Sequence, residues 1–297
     1  MTLLSFALIL KYCLVSSLFA VAMFSSAQVA RFLSFAALGT AFLAAGIGRH
    51  HLTGIVLLDC GILIAVAATV GICTSVIAAL LHGVAGVDRV TAGVITYFLA
   101  YGSGLIVADG GMARLPAEIS PPSVLAANAI MIALLLSCAG LLVFYSTRTT
   151  SGLRAIAFSK SPDFAGRFGS IGKVSDIVPI YLPALFFGEF IAGLGGCMSL
   201  YLEGSTSLNY AFQPILIGVI AAGVAQFAAW RARIWVRLLI TLAISTLWAL
   251  IFAIGADLQL PQWAADMKEG FAALALAVLI LLVQGAVKAF QQMRRTA

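Results

Sequence analysis

The stretch GIVLLDCGILIAVAATVGICTSVIAALL, residues 54–81, decides the class of fold. It stays apolar for longer than the about twenty residues that an α-helix needs to cross the hydrocarbon core of a bilayer. Its one charged residue is Asp59. Similar runs recur along most of the chain, so the sequence predicts an all-α polytopic membrane protein. A transmembrane barrel is excluded, because its strands alternate apolar and polar residues over roughly ten positions.

The composition of the 297 residues leads to the same class. Hydrophobic residues make up 62% and charged residues 9%, with a mean hydropathy of +1.10. A soluble domain has about 25% charged residues, so this chain lacks the polar side chains that a water-facing surface needs. A soluble globular enzyme, a disordered chain and a nucleic-acid-binding domain are therefore excluded.

Nine segments are apolar enough to be candidate spans, and the chain from 1 to 297 has the character of a single transmembrane domain. The second segment is short and rich in small residues. This favours a broken or partly inserted helix over a full crossing, so we expect eight or nine transmembrane helices. The candidate spans are residues 3–25, 32–47, 54–81, 91–108, 122–145, 177–200, 209–229, 235–255 and 270–290.

The few charged residues set the orientation. If the long polar loop 146–176 faces the cytoplasm, alternation of the spans places 13 of the 17 basic residues on that same side. The positive-inside rule favours this arrangement. It predicts an N-terminus outside and a C-terminus inside, and it explains the net charge of +6 without a nucleic-acid partner.

The polar loop carries the most informative motif. Residues 151–172 read SGLRAIAFSKSPDFAGRFGSIG, in which Gly152–Phe158 has the pattern of a short amphipathic helix. Taken alone, such a helix equally suits a basic segment that lies on anionic lipid. The order Leu153-Arg154-Ala155, Ser161-Pro162, Ala165 and Gly169 resembles the cytoplasmic loop of ABC-importer permeases of the branched-chain amino acid and ribose group.

Three further segments are similar to that family in the same order along the chain. They are RFLSFAALGTAFLAA at 31–45, HGVAGVDRVTAGVITYFLAYG at 82–102 and PALFFGEFIAGLGGC at 183–197. The nearest likeness is to the aromatic amino acid-like (tryptophan/tyrosine) branch. Glu189 departs from the family pattern, in which this position commonly holds a small or amide residue.

The resemblance implies a transport subunit of the bacterial cytoplasmic (inner) membrane, and not an enzyme. ATP hydrolysis would take place on separate cytoplasmic ATPase subunits, which agrees with the absence of a phosphate-binding GxxxxGK[ST] motif from the sequence. A second permease subunit, the same or a related chain, and an external or periplasmic solute-binding protein are the other implied partners. We expect a small polar solute: an amino acid in the first place, with a sugar or nucleoside as alternatives.

The resemblance also assigns the loop 146–176 a role in coupling. Its helices would dock in a groove of the ATPase, where small side chains allow close approach and cations pair with acidic groups. The coupling contacts that it implies are Arg154, Ala155, Pro162, Ala165 and Gly169.

Polar and ionisable residues inside the spans are the candidates for the translocation pathway, because such groups are costly in lipid. Glu189 lies mid-span among glycines, and either lines the pathway or makes an interhelical hydrogen bond. Asp59 either has a functional role within its span or extends its side chain to the membrane–water interface. The short second segment offers backbone and hydroxyl groups where a broken helix exposes them. The pathway set is Ser34, Phe35, Thr40, Asn128, Glu189 and Asn209.

Other functions and ligands have weaker support in the sequence. A stand-alone secondary carrier of the drug/metabolite type has a similar size, but it predicts two homologous halves, and no convincing repeat is present. A lipid-modifying membrane enzyme needs a convergent acidic or histidine cluster, and the eleven acids are scattered. The five cysteines form no CxxC pair and no cluster with histidine, so we expect no disulfide, metal or cofactor.

Overall fold

A computed structural model describes residues 3–30, 34–160, 178–229 and 232–257 of the chain. In this part the chain forms nine α-helices, one π-helical turn and two short strands. The helices are α1 (Leu3–Phe24), α2 (Ala36–Gly48), α3 (Val56–Gly83), α4 (Arg89–Val107), α5 (Val124–Arg148), α6 (Thr150–Lys160), α7 (Val178–Glu203), α8 (Leu208–Ala228) and α9 (Ile234–Asp257); the π-turn is Ser25–Val29, and the strands are β1 (Met112–Arg114) and β2 (Ser205–Ser207).

Six of these helical segments are long and apolar enough to cross a membrane, which confirms the membrane-like helical class. They are Phe6–Val29, Val56–Gly83, Arg89–Val107, Val124–Arg148, Leu182–Glu203 and Ile234–Ile251. The second and seventh candidate spans correspond to the shorter apolar helices Ala36–Gly48 and Phe212–Ala228. The ninth candidate, 270–290, lies outside the described residues.

The loops between the long helices collect at two ends of the bundle. At one end β1 pairs antiparallel with β2, and the guanidinium of Arg49 bonds both the carboxylate of Asp109 and, at 3.2 Å, the carbonyl of Val107. Lys11 donates to the carbonyl of Leu202 at 3.3 Å near the same end. We call the end of the bundle that carries β1 and β2 the strand end. We call the opposite end, which carries α6, the α6 end.

The pair of strands is an addition to the predicted all-α class. Met112 pairs with Ser207, Ala113 with Thr206 and Arg114 with Ser205, so the sheet has only three residues on each strand. It joins the turn after α4 to the turn after α7. Three-residue strands in loops are too short to show a hydrophobic period in the sequence, which explains why they were not expected.

Helix α7 is the central element, because glycines on α7 and on a neighbour let three helices approach it closely. A side chain at Gly196 would collide with the carbonyl of Ala41 on α2. A Cβ at Gly195 would lie 2.9 Å from the ring of Phe19 on α1, and Gly71 of α3 faces the backbone of α7 equally closely. Helices approach in this way in lipid, where packing rather than exclusion from water holds them together.

Helix α1 is joined to α9 by hydroxyl pairs. Ser16 and Ser245 lie 3.3 Å apart, and Ser17 and Thr246 lie 2.9 Å apart. Such interhelical bonds are worth about 0.6 kcal/mol on average in a membrane protein. In contrast, α3, α4 and α5 expose bulky apolar side chains such as Leu57, Ile106 and Leu136 on their outer faces, as lipid-facing helices do.

Candidate functional site: a buried carboxyl at the start of a half-helix

The route of the chain from α1 to α2 creates the site. Helix α1 continues into the π-turn, which ends just before Ala30, and Ser34 lies shortly before the short helix α2. With 13 residues α2 spans roughly 20 Å, less than the about 30 Å of a bilayer core. Its last residue is at the strand end, so its first turn lies inside the bundle. The predicted short second segment is therefore confirmed as α2, which we call the half-helix.

Glu189, near the middle of α7, faces the first turns of α2. The hydroxyl of Ser34 donates to Oε1 of Glu189 at 2.6 Å, and the hydroxyl of Thr40 reaches Oε2 at 2.6 Å. All three side chains are fully buried. The sequence proposed these three residues as pathway candidates, and the fold brings them into one cluster, which we call the carboxyl cluster. The distances match those of charge-assisted O–H···O⁻ hydrogen bonds.

The surroundings of the carboxyl cluster are closely packed. A Cβ at Gly71 would lie 2.8 Å from the backbone of Phe190 and 3.2 Å from that of Glu189, so α3 covers the cluster from a second side. The π-turn lies beside the residue next to Glu189, since a Cβ at Gly188 would collide with the hydroxyl of Ser26. π-turns inside helices occur often at functional sites. The cluster therefore lies where the start of α2, the π-turn and the central helix meet.

Helix α6 begins at a compact turn after α5. The hydroxyl of Thr149 accepts a hydrogen bond from the amide of Gly152 at 3.1 Å and so caps the helix. Gly152 is required there, since a side chain would collide with the carbonyl of Tyr145. The inner face of α6 packs against α7 and the π-turn. This geometry links the α6 end of the bundle directly to the two segments that flank the carboxyl cluster.

The two faces of α6 differ in exposure. Ala155 is fully buried against the rest of the chain. The exposed side chains are Arg154 and Leu153, the latter 51% exposed. The coupling contacts at Arg154 and Ala155 stay predictions, and of the two only Arg154 is exposed. Pro162, Ala165 and Gly169 lie outside the described residues.

The other pathway candidates do not join the carboxyl cluster. Asn128 of α5 is buried and donates from Nδ2 to the carbonyl of Ala7 at 3.0 Å, close to the strand end of α1. Phe35 sits at the N-terminal boundary of α2 and packs, half-buried, against the apolar core. The side chain of Asn209, at the start of α8, lies outside the described residues.

Asp59 has a structural explanation. Its carboxylate accepts hydrogen bonds from the amide of Thr53 at 2.7 Å, from the Thr53 hydroxyl at 2.9 Å and from the amide of Gly54 at 3.1 Å. Gly54 has a positive φ of 85°, which suits glycine. The fully buried Asp59 side chain thus holds the α2–α3 turn against the start of α3.

Sequence reasoning missed a polar network near the α6 end. Gln28 of the π-turn donates to the carbonyl of Ala222 at 2.8 Å and to the side chain of Gln226 at 3.0 Å, and it accepts from Arg237 at 3.2 Å. The network ties the π-turn to α8 and α9. The signal for it was present, since glutamine is rare in an apolar helix, but its partners lie about 200 residues away in sequence.

Comparisons with family models, with curated proteins and with solved structures found no match. In the part of the chain that the structure describes, no group of three or more His, Cys, Asp or Glu side chains is arranged to hold a metal ion. The features of the chain that bear on function are the carboxyl cluster, the half-helix and the exposed face of α6.

Proposed function

We propose that this chain is the transmembrane permease subunit of an ABC importer of the bacterial cytoplasmic membrane. It moves a small polar solute, an amino acid in the first place, by alternating access that a separate cytoplasmic ATPase drives. A second permease subunit completes the pathway, and an external solute-binding protein delivers the solute. The α6 end faces the cytoplasm in this proposal.

The observation that carries the proposal is the position of α6. Its outer face presents Arg154 and Leu153 to solution, while its inner face contacts the π-turn and α7. A partner that binds and moves α6 therefore acts on the two segments that flank Glu189. Because interiors are closely packed, a displacement at one face is transmitted rather than absorbed.

The carboxyl cluster supports a pathway in this region. Non-helical backbone in the membrane is tolerated where protein buries it or where it lines a cavity, and transporters place such breaks at their substrate sites. Here Ser34, in the non-helical backbone just before α2, bonds an ionisable residue in the interior, which is by default a candidate for function.

The test has two parts. The chain is first expressed with candidate ATPase subunits encoded beside its gene, and association is measured by co-purification; failure to associate with any of them would contradict the proposal. In the resulting complex, Arg154→Glu is expected to abolish ATP-driven uptake while the chain still reaches the membrane. Arg233→Glu, the same exchange on an exposed arginine just before α9 and outside the loop 146–176, is the matched control and retains uptake.

One observation favours a second function, a stand-alone carrier that is coupled to an ion gradient. A buried carboxyl group within a helical bundle is the kind of group that such carriers use for proton coupling. The two functions differ in their energy source. Uptake into proteoliposomes that contain this chain alone, driven by a proton gradient, indicates a carrier; uptake that requires the ATPase and ATP indicates the importer.

A further inference from the structure

The hydroxyl of Thr40 has one hydrogen and two acceptors within reach. Its oxygen lies 2.6 Å from Oε2 of Glu189 and 3.0 Å from the carbonyl of Ala36 one turn earlier on α2. A hydroxyl donates one hydrogen bond and accepts others. Both contacts are therefore full hydrogen bonds only if Glu189 supplies a hydrogen of its own.

Two arrangements of hydrogens satisfy the carboxyl cluster. In the first, Glu189 is ionised, and Ser34 and Thr40 each donate to one of its oxygens. In the second, Glu189 has gained a proton on Oε2 and donates it to the oxygen of Thr40, whose own hydrogen turns to the carbonyl of Ala36. Ser34 donates to Oε1 in both. The change between them needs one proton and the rotation of one hydroxyl.

We propose that Glu189, Ser34 and Thr40 form a reversible proton-binding site in the interior of the bundle. The bond formed is the O–H bond on Oε2 of Glu189. The proton comes from water when the site opens and returns to water when the site opens again, so no other reactant takes part. This inference does not depend on the proposed function, because it holds for an ATP-driven permease and for an ion-coupled carrier alike.

Among the described residues, no charged side chain faces Glu189 to fix its protonation state. From Ser34 to Gly48 the half-helix carries no ionisable side chain. On α3, Asp59, Cys60 and His82 are each more than ten residues from Gly71, roughly 16 Å or more along the helix, and Cys73 is exposed on the outer side. The other packed elements carry ionisable side chains at a distance or on outer faces. They are Lys11, Tyr12 and Cys13, at least nine residues before Ala22 on α1; Cys197, Tyr201 and Glu203, two or more turns beyond Glu189 on α7; Cys138, Tyr145 and Arg148 on α5, of which Tyr145 packs on Phe187; and Arg154, exposed on α6.

The site also couples proton binding to the packing of the half-helix. The hydroxyl of Thr40 belongs to α2 and that of Ser34 lies just before it, whereas the carboxyl group belongs to α7. Movement of α2 away from α7 breaks both hydrogen bonds and exposes the carboxyl group to whatever water enters. An ionised carboxylate gains far more from that water than a neutral acid does. Loss of the proton therefore accompanies opening.

Glutamine at position 189 copies the protonated arrangement. Its Oε1 accepts from Ser34, and its Nε2 donates to the oxygen of Thr40, which turns its hydrogen to Ala36. We therefore expect Glu189→Gln to fold and to pack α2 as the wild-type chain does. Failure of this variant to fold would contradict the second hydrogen arrangement and with it the proposal.

The test is infrared difference spectroscopy of the purified chain in lipid nanodiscs, between alkaline and acidic buffer. The wild-type chain is expected to gain a protonated-carboxyl C=O band on acidification that Glu189→Gln lacks, together with an uptake of one proton more per chain. Glu203→Gln, the other acid of α7, is the matched control and keeps the band. Thr40→Val is expected to move the band in frequency, since one hydrogen bond is lost, and Thr40→Ser to restore it.

Identical difference spectra for the wild-type chain and Glu189→Gln would overturn the proposal, as would a band that Thr40→Val leaves unmoved. Because the measurement needs neither ATPase nor solute, its failure is distinct from a failure of the proposed function. If the chain associates with an ATPase but Glu189 binds no proton, only the proton-site proposal fails. If Glu189 binds a proton but the chain associates with no ATPase, only the proposed function fails.

Discussion

Gly196 provides a sharp test of the packing around α7. In Gly196→Ala the new Cβ meets the backbone of Ala41, including its carbonyl oxygen and Cα. Backbone cannot rotate out of the way as a side chain does, so α2 has to move away from α7. Overpacking of this kind costs about 1–3 kcal/mol. Replacement of a helical glycine by alanine stabilises the helix by about 1 kcal/mol through helix propensity. We therefore expect the free energy of unfolding to fall by up to about 2 kcal/mol.

Two matched variants set the scale for this loss. A methyl group added at Gly140 of α5 would have nothing within 4 Å, so Gly140→Ala carries the helix-propensity gain without the collision. Gly188 of α7 would meet chiefly the hydroxyl of Ser26, a side-chain atom that is able to rotate. The expected order of stability is therefore Gly140→Ala, then Gly188→Ala, then Gly196→Ala.

The buried cysteines of the chain supply the assay. Cys13, Cys138 and Cys197 are buried and become reactive toward a thiol-specific fluorophore only on unfolding. The exposed Cys73 and the partly buried Cys60 are first replaced by serine to remove background. At roughly 2–4 °C per kcal/mol for a chain of this size, Gly196→Ala is expected to lower the midpoint by several degrees. A Gly196→Ala chain as stable as Gly140→Ala would refute the close approach of α2 to α7.

Three further predictions concern the loops and the outer helices. Asp59→Ala is expected to cost about 1–3 kcal/mol, because it deprives the α2–α3 turn of its acceptor, whereas the exposed Glu118→Ala leaves the thiol-unfolding midpoint unchanged. Hydrogen bonds from Thr91 and Val90 hold the pKa of the α4-capping Asp88 below its ordinary value of 3.8, so the cap stabilises the chain at neutral pH and its contribution fades as the pH falls through that lowered pKa. The midpoint difference between wild type and Asp88→Ala should accordingly shrink in acid; a constant difference contradicts the cap. A double-mutant cycle of Ser17→Ala and Thr246→Val should give a coupling of about 0.6 kcal/mol, and additive effects contradict the hydroxyl pair.

The positions of the helices were largely predictable, for a local reason. Hydropathy is a property of each residue, and a span is a sum over neighbours in sequence. The long segments 54–81 and 122–145 therefore appear as α3 and α5 with shifts of three residues or fewer at either end. The short α2 was predictable for the same reason, since its small residues are visible in sequence. The β1–β2 pair was not, because pairing of two three-residue strands depends on where two distant turns meet.

The site was predictable in its members but not in its arrangement. Polar residues in apolar runs are few, so Ser34, Thr40 and Glu189 stand out among the candidates. Asn128 stands out equally and yet lies near the strand end, bonded to α1. Which of these residues meet depends on the helix faces that pack together, and single-residue chemistry does not contain that information.

The sequence by itself determined that the chain is a bundle of apolar helices with a short second segment and an amphipathic helix in its polar loop. Only the tertiary structure decided that Thr40 and Glu189, 149 residues apart, share a hydrogen bond, and that Ala155 faces inward while Arg154 faces out. The physical reason is the range of the forces. Transfer into lipid acts on each residue wherever it lies, whereas a buried carboxyl group finds its partners only after the packing of glycine-rich α7 has brought them into hydrogen-bonding contact.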